Sequence, residues 1–187
     1  MSAQINWRLH VPLAIALAIA LHALTVWALP RVIMDRIITL GGGDAARQGS
    51  TSGVFLPPPT DHTQRRIVMP SPDLLYATCA YDLGDAPLRV QLSTDYPRYW
   101  SIALYATNSD NFFVINDRDA AGEAIDLLLL GPQDQTERIP DGASGTRVVR
   151  SPTERGFLLM RVLVNEDPTV RADADRTRRQ LRCQPIS

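Results

Sequence analysis

The chemical possibilities of this 187-residue chain rest on seven side chains. Asp73, Tyr76, Arg98, Tyr105 and Asp117 bring carboxylates, phenols and guanidinium groups into one strand-like stretch. Gathered on one sheet face, they would bind a small anion or exchange protons with it. Cys79 and Cys183 are the only cysteines. In an oxidising compartment they can pair, and in a reducing one they stay ordinary thiols.

What the chain lacks removes other chemistries. All nineteen basic residues are arginine, so there is no lysine for a Schiff base or a general base. His10, His22 and His62 all precede the strand-rich region, which argues against Ser-His-Asp and Cys-His catalysis and His-ligated metals over residues 63–187. No CxxC spacing is present, and no cofactor is expected. Gly41-Gly42-Gly43 lacks the spacing and the lysine of a phosphate loop. Asp117-Arg118-Asp119, with Asn116, has oxygen ligands for calcium but reads more simply as a loop ion pair. Ser144 in "GASGT" has neither a nucleophile-elbow pattern nor a histidine partner. A net charge of -1 without a basic footprint argues against nucleic-acid binding.

The polar residues need elements to position them. Residues 1–40 read as an N-terminal membrane anchor with a helical extension. Val11 to Leu29 holds no charged residue and as a helix spans about 28 Å, the thickness of a hydrocarbon core. Arg8 and Arg31 flank it, and Trp7 and Trp27 stand where interfacial aromatics belong. A cleaved signal peptide ending near Val26-Trp27-Ala28 is the competing reading. His22 lies inside the span without a second polar group to partner it. The flanking charges nearly balance; the expectation is a single pass in the cell membrane with the following module periplasmic.

"RVIMDRIITL" continues as an amphipathic extension at the membrane surface. Residues 41–65 read as a Gly- and Pro-rich tether that breaks this helix. Residues 66–187 read as a mainly β domain: an antiparallel sandwich or jelly roll of about seven strands with a C-terminal helix.

In that domain, "LLYATCAYDL" alternates, with Leu75, Ala77, Cys79, Tyr81 and Leu83 on one face. "LRVQLS", "RYWSIALYAT", "NFFVIND", "AIDLLLLG", "TRVVRS" and "RGFLLMRVLV" give further strands, separated by glycine and proline turns. Asp167 and Pro168 open a final helix with Val170, Ala174, Thr177 and Leu181 as its apolar stripe. The charges from Arg171 to Arg182 read as its solvated face, with an anionic-lipid patch as the lesser reading. Ser71-Pro72-Asp73 reads first as a turn that caps backbone N–H groups ahead of a strand.

The order of motifs resembles a mainly bacterial family catalogued as domain of unknown function 1254. The resemblance runs from Ser71-Pro72-Asp73-Leu74-Leu75-Tyr76 through Asp82-Leu83, Arg98-Tyr99-Trp100-Ser101, Asn111-Phe112 and Asp117-Arg118. It continues with Gly122, Leu130-Gly131-Pro132, Ser151-Pro152-Thr153 and Arg161-Val162-Leu163-Val164. Asn116 stands where the family pattern leads one to expect glycine. The resemblance implies an all-β domain of sandwich or jelly-roll type, followed in longer relatives by a domain of unknown function 1214. This chain stops where that second domain would begin, so the implied partner is a separately encoded protein carrying it. No catalytic residues come with the resemblance.

Two functions follow as expectations. One is a membrane-anchored envelope module that binds or assembles, most naturally with the complementary β domain. The other is an enzyme or enzyme subunit using Asp73, Tyr76, Arg98, Tyr105 and Asp117.

Overall fold

The structure, a computed structural model, describes residues 7–47 (backbone only after Gly41), 53–60, 70–84, 86–134 and 145–186. Helix α1 occupies Trp7–Arg47, α2 Asp117–Ala120 and α3 Pro168–Arg179. The strands are β1 Leu74–Asp82, β2 Leu88–Leu92, β3 Trp100–Ala106, β4 Asn111–Asn116, β5 Ile125–Leu130, β6 Arg147–Arg150, β7 Arg155–Leu163 and β8 Arg182–Pro185.

Side chains of successive strand residues point to opposite faces, so each alternating segment has one apolar face to bury. Two four-stranded sheets do this together, in the orders β1-β7-β3-β4 and β6-β5-β2-β8. Cys79 lies opposite Leu158 and Ala77 opposite Met160, while Ile102 lies opposite Met160 from the other side. Facing them, Val90 lies opposite Leu127 on one side and Cys183 on the other. These residues, with Leu75, Leu92, Leu104 and Leu129, form one core. The expected sandwich is present, with one parallel pair, β5 to β6, in an otherwise antiparallel arrangement.

Helix α3 begins as its sequence directs. The Asp167 side chain accepts from the Thr169 N–H at 2.8 Å, and Pro168 occupies the first turn. Ala174 and Leu181 enter the core, and Thr177 is buried beside them. The solvated-face reading fails at Arg178, which is 4% exposed. It follows Ala174 by four residues, so it stands beside the apolar stripe rather than behind it. The strand that follows, β8, is also absent from the sequence reading.

The tether reading needs correction at both ends. α1 does not stop at the glycines but continues to Arg47. A glycine costs about 1 kcal/mol in a helix, and here the helix is already formed and docked before reaching them. Met34 and Ile38 are buried against Phe157, with Ile37, Ala80, Tyr105 and Leu159 around them. Asp35 pairs with Arg155 at 3.0 Å. At Gly41 a Cβ would stand 3.1 Å from the Phe157 ring, so glycine permits this close approach. The extension therefore lies on the outer face of the first sheet.

Further on, Phe55 bridges Thr78 in both directions, at 2.8 and 2.9 Å, and Val54 is buried in the core. The folded unit thus begins near residue 54 rather than 66. Residues 48–52 and 61–65 of the expected tether, His62 and Ser144 lie outside the described residues.

Candidate functional site

The Ser71-Pro72-Asp73 turn is structural. The Ser71 hydroxyl accepts from the Asp73 N–H at 3.3 Å, and the Ser71 N–H donates to the Tyr76 hydroxyl at 3.0 Å. The Asp73 carbonyl accepts from the Val164 N–H at 2.8 Å, tying the turn to the end of β7. The serine, aspartate and tyrosine of the motif therefore set the entry angle of β1.

Of the five polar residues, the fold relates two. Tyr76 and Tyr105 share the outer face of the first sheet, with Arg161 between them. Arg161 is the cross-strand partner of Tyr76 and donates to the Tyr105 hydroxyl at 3.2 Å. Arg161 is the residue that sequence reading left out, although its place in "RGFLLMRVLV" made it an outward position. Asp73 and Arg98 are exposed, and no hydrogen bond or ion pair joins Asp73, Arg98 or Asp117 to one another or to the tyrosines among the described residues.

Asp117 opens α2, and its Oδ1 is buried without a hydrogen-bond partner among the described residues. The loop ion-pair reading of 116–119 is corrected here. The Asn116 side chain accepts from the Arg118 and Asp119 N–H groups, and Asp119 accepts from the Asn116 N–H, which is a capping box on a one-turn helix. Asn116 has extended backbone, φ −136°, so no glycine is required there; the left-handed positions are Ala121 and Gly122. Among the described residues no group of three or more metal-ligating side chains occurs.

A polar lock crosses the core. Tyr81 reaches from β1 across Gly156 of β7 and donates to the Tyr105 carbonyl of β3 at 3.3 Å. Burial pushes its phenol far above the ordinary range, with Ser151 hydrogen bonding in the opposing direction and Cys79 adding a smaller upward push. An unfolded chain releases this proton near pH 10 while the folded one keeps it. Stability should then fall as pH rises above about 10, by about 1.4 kcal/mol per unit from this one group. Tyr81→Phe should lack that component of the fall, as read by urea unfolding between pH 9 and 11.

The two sides of the sandwich differ. On one, the β1 edge is covered by Phe55 and by Arg178, which donates to the Pro57 and Tyr76 carbonyls at 2.7 and 2.9 Å. On the other, β4 and β6 are edge strands, paired with β3 and β5 but with no second strand partner among the described residues. Between them runs a shallow, open groove of about 500 Å³ lined by Phe113, Val114, Asp119, Arg147, Val148 and Val149. Val114 is 49% and Val148 41% exposed. The Arg147 guanidinium lies over the Phe113 ring at 5.8 Å. Sequence alternation placed these residues on strands but carried no information about which edges stay unpaired.

α1 is long and apolar enough to cross a membrane, and its apolar window is unburied. The Arg31 guanidinium stacks on Trp27 at 4.6 Å and donates to the Trp27 carbonyl at 2.5 Å, closing the apolar stretch with a charge.

The sequence profile of the family described as "Protein of unknown function (DUF1254)" matches residues 54–185. Among solved structures, the fold is similar to the VPA0106 protein of Vibrio parahaemolyticus, with a TM-score of 0.62 and 15% identity. The match covers 87% of this chain and 36% of that one. An uncharacterised protein of Burkholderia cenocepacia is also similar, with a TM-score of 0.47 and 15% identity, covering 78% of this chain and 38% of that one. No curated protein matches the chain. The chain thus spans little more than a third of the length of the solved structures it resembles.

Proposed function

This chain belongs to the DUF1254 family of proteins of unknown function, and we propose that it acts as a membrane-anchored docking module. Helix α1 crosses the cell membrane once, and the β sandwich lies on its periplasmic side. The occupant of the β4–β6 side is a β domain of the unknown-function 1214 type, carried by a separate protein.

One observation carries this reading: the β1 edge is covered and β8 has Gly53 packed on its Cys183 carbonyl, while among the described residues β4 and β6 keep an open outer edge, where Val114 and Val148 face solvent. An edge strand presents unpaired N–H and C=O groups and recruits another strand unless it is blunted. β6 is flanked by Arg147 and Arg150, which guard against indiscriminate pairing, while β4 carries no charged residue. In VPA0106 the part matched by this chain makes up 36% of the whole, which leaves room there for a further domain.

The docked extension adds an orientation. With residues 11–29 in the bilayer, Met34 stands about 8 Å further along the helix axis, so the module rests close to the surface rather than swinging on a tether. The alternative of an acid–base enzyme finds less support, because Asp73, Arg98 and Asp117 are not assembled with the tyrosines.

The test is co-expression of the full chain with the 1214-domain protein of the same genome, followed by co-purification in detergent. Val148→Glu and Val114→Arg should each reduce recovery of the partner at least tenfold while leaving the melting temperature within a few degrees. Equal recovery by both variants, or no recovery by the wild type, would discard the proposal.

A further inference from the structure

We infer that Cys79 and Cys183 are joined as a disulfide in the working protein, and that this bond is made while the module folds rather than afterwards. Within the cell the inference rests on the periplasmic placement proposed above; as chemistry of the fold it stands alone.

The geometry is specific. The chain's two cysteines come from opposite sheets, Cys79 on β1 and Cys183 on β8, and enter one core. Each is 2% exposed and a free thiol, and one segment packs on both places: Gly53 lies against Cys183, and two residues on Phe55 pairs with Thr78, the neighbour of Cys79. No other pairing is open to either of them within the chain. The bond would tie the first strand to the last, closing a loop of about 100 residues, the kind of cross-link that most restricts an unfolded chain.

Timing follows from access. Exchange needs a thiolate and a route for the oxidant. In the folded module the route is closed to both sulfurs, each 2% exposed, and the thiolate is disfavoured at Cys183. Burial pushes the Cys183 thiol well above its usual range, and the neighbouring Cys79 pushes it further the same way. Segment 53–57 lies over this place, with Gly53 so close that a Cβ would strike the Cys183 carbonyl. Before α3 and β8 dock, both sulfurs are open.

The partner reaction is exchange with the disulfide of a thiol–disulfide oxidoreductase. One cysteine thiolate attacks an enzyme sulfur, forming a mixed disulfide and releasing the first enzyme thiolate. The second cysteine thiolate attacks the substrate sulfur of that mixed bond, closing Cys79–Cys183 and releasing the second. Two electrons pass to the enzyme, and the two cysteine protons go to the released thiolates or to water.

The full chain in detergent, unfolded and reduced, is refolded in a glutathione redox buffer. The expected product has a mass lower by two hydrogens, takes up no maleimide when denatured, and resists reductant until denaturant is added. Protein refolded in reductant and then moved to the same buffer should oxidise at least tenfold more slowly. Two free thiols in a natively folded oxidised sample, or equal rates from both starting states, would overturn the inference.

In cells, the chain is alkylated under denaturing lysis, while Glu166→Cys in a Cys79→Ala/Cys183→Ala background reports whether a membrane-impermeant maleimide reaches the module. Labelling with blocked thiols supports both readings. Labelling with free thiols overturns the disulfide. No labelling with free thiols overturns the periplasmic placement, and the refolding experiment then decides the bond.

Discussion

Arg178→Met should destabilise the β module by about 3 kcal/mol or more, although the residue belongs to no site. Its guanidinium is 4% exposed and fully engaged. Nε and Nη2 hold the Asp175 carboxylate at 2.7 and 2.6 Å, and Nη1 is shared by the Pro57 and Tyr76 carbonyls. Methionine matches the aliphatic stem but leaves two part-buried carbonyls without this donor, each worth about 1–3 kcal/mol. Asp175 is the smaller loss, because it is partly exposed and keeps Arg179 at 2.7 Å. Burial pushes the Asp175 carboxyl up, but the hydrogen bonds from Arg179 and Arg178 outweigh that and hold it below the usual range. That part of the stability is present above the ordinary carboxylate pKa and is lost as pH falls through the depressed one.

Urea unfolding of the full chain in detergent reads the effect. Trp100 is the only tryptophan in the core, so its fluorescence is best followed in a Trp7→Phe/Trp27→Phe background. Arg178→Lys should fall between wild type and Arg178→Met, because an ammonium keeps the charge without spanning all three acceptors. A loss below about 1 kcal/mol for Arg178→Met would mean that the 54–57 segment and α3 do not depend on this side chain.

Gly156→Ala carries the second large effect, about 3 kcal/mol or more. A Cβ at residue 156 would fall 2.2 Å from the Tyr81 hydroxyl and 2.5 Å from the Tyr105 carbonyl. The first neighbour is a side chain and can swing away at the expense of its bond to Tyr105. The second is the backbone of a central strand, which cannot move without opening the β3–β7 pairing. The double variant with Tyr81→Leu separates the two. If the phenol is the main obstacle, the alanine penalty shrinks in that background; if the carbonyl is, the two losses add. A Gly156→Ala chain as stable as wild type would show that Tyr81 does not lie across β7 in solution.

Much of this protein is decided locally. Alternation marked β1 to β3 and their inner faces, because a strand with one buried face must repeat its apolar residues every second position, and turn residues bounded the segments that become β4 to β7. Asp167-Pro168 opened α3 for an equally local reason, since a cap bonds residues only two away. Nineteen uncharged residues with arginines at each end define a span-length helix whatever lies beyond it.

Tertiary structure decided the rest. "RCQP" has too few apolar residues to announce a strand, and β8 exists because the edge of β2 was available to pair with it. The glycines at 41–43 read as a break, yet the helix runs through them after docking on Phe157. Arg178 has the composition of a solvated residue but is buried, because carbonyls from segments about 100 and 120 residues away converge on it. The same is true of Arg161 beside Tyr105, of Cys79 beside Cys183, and of the open β4–β6 side. Periodicity records which face of an element is buried; it does not record which distant element does the burying, and that second fact determines every buried charge, thiol pair and unpaired edge in this fold.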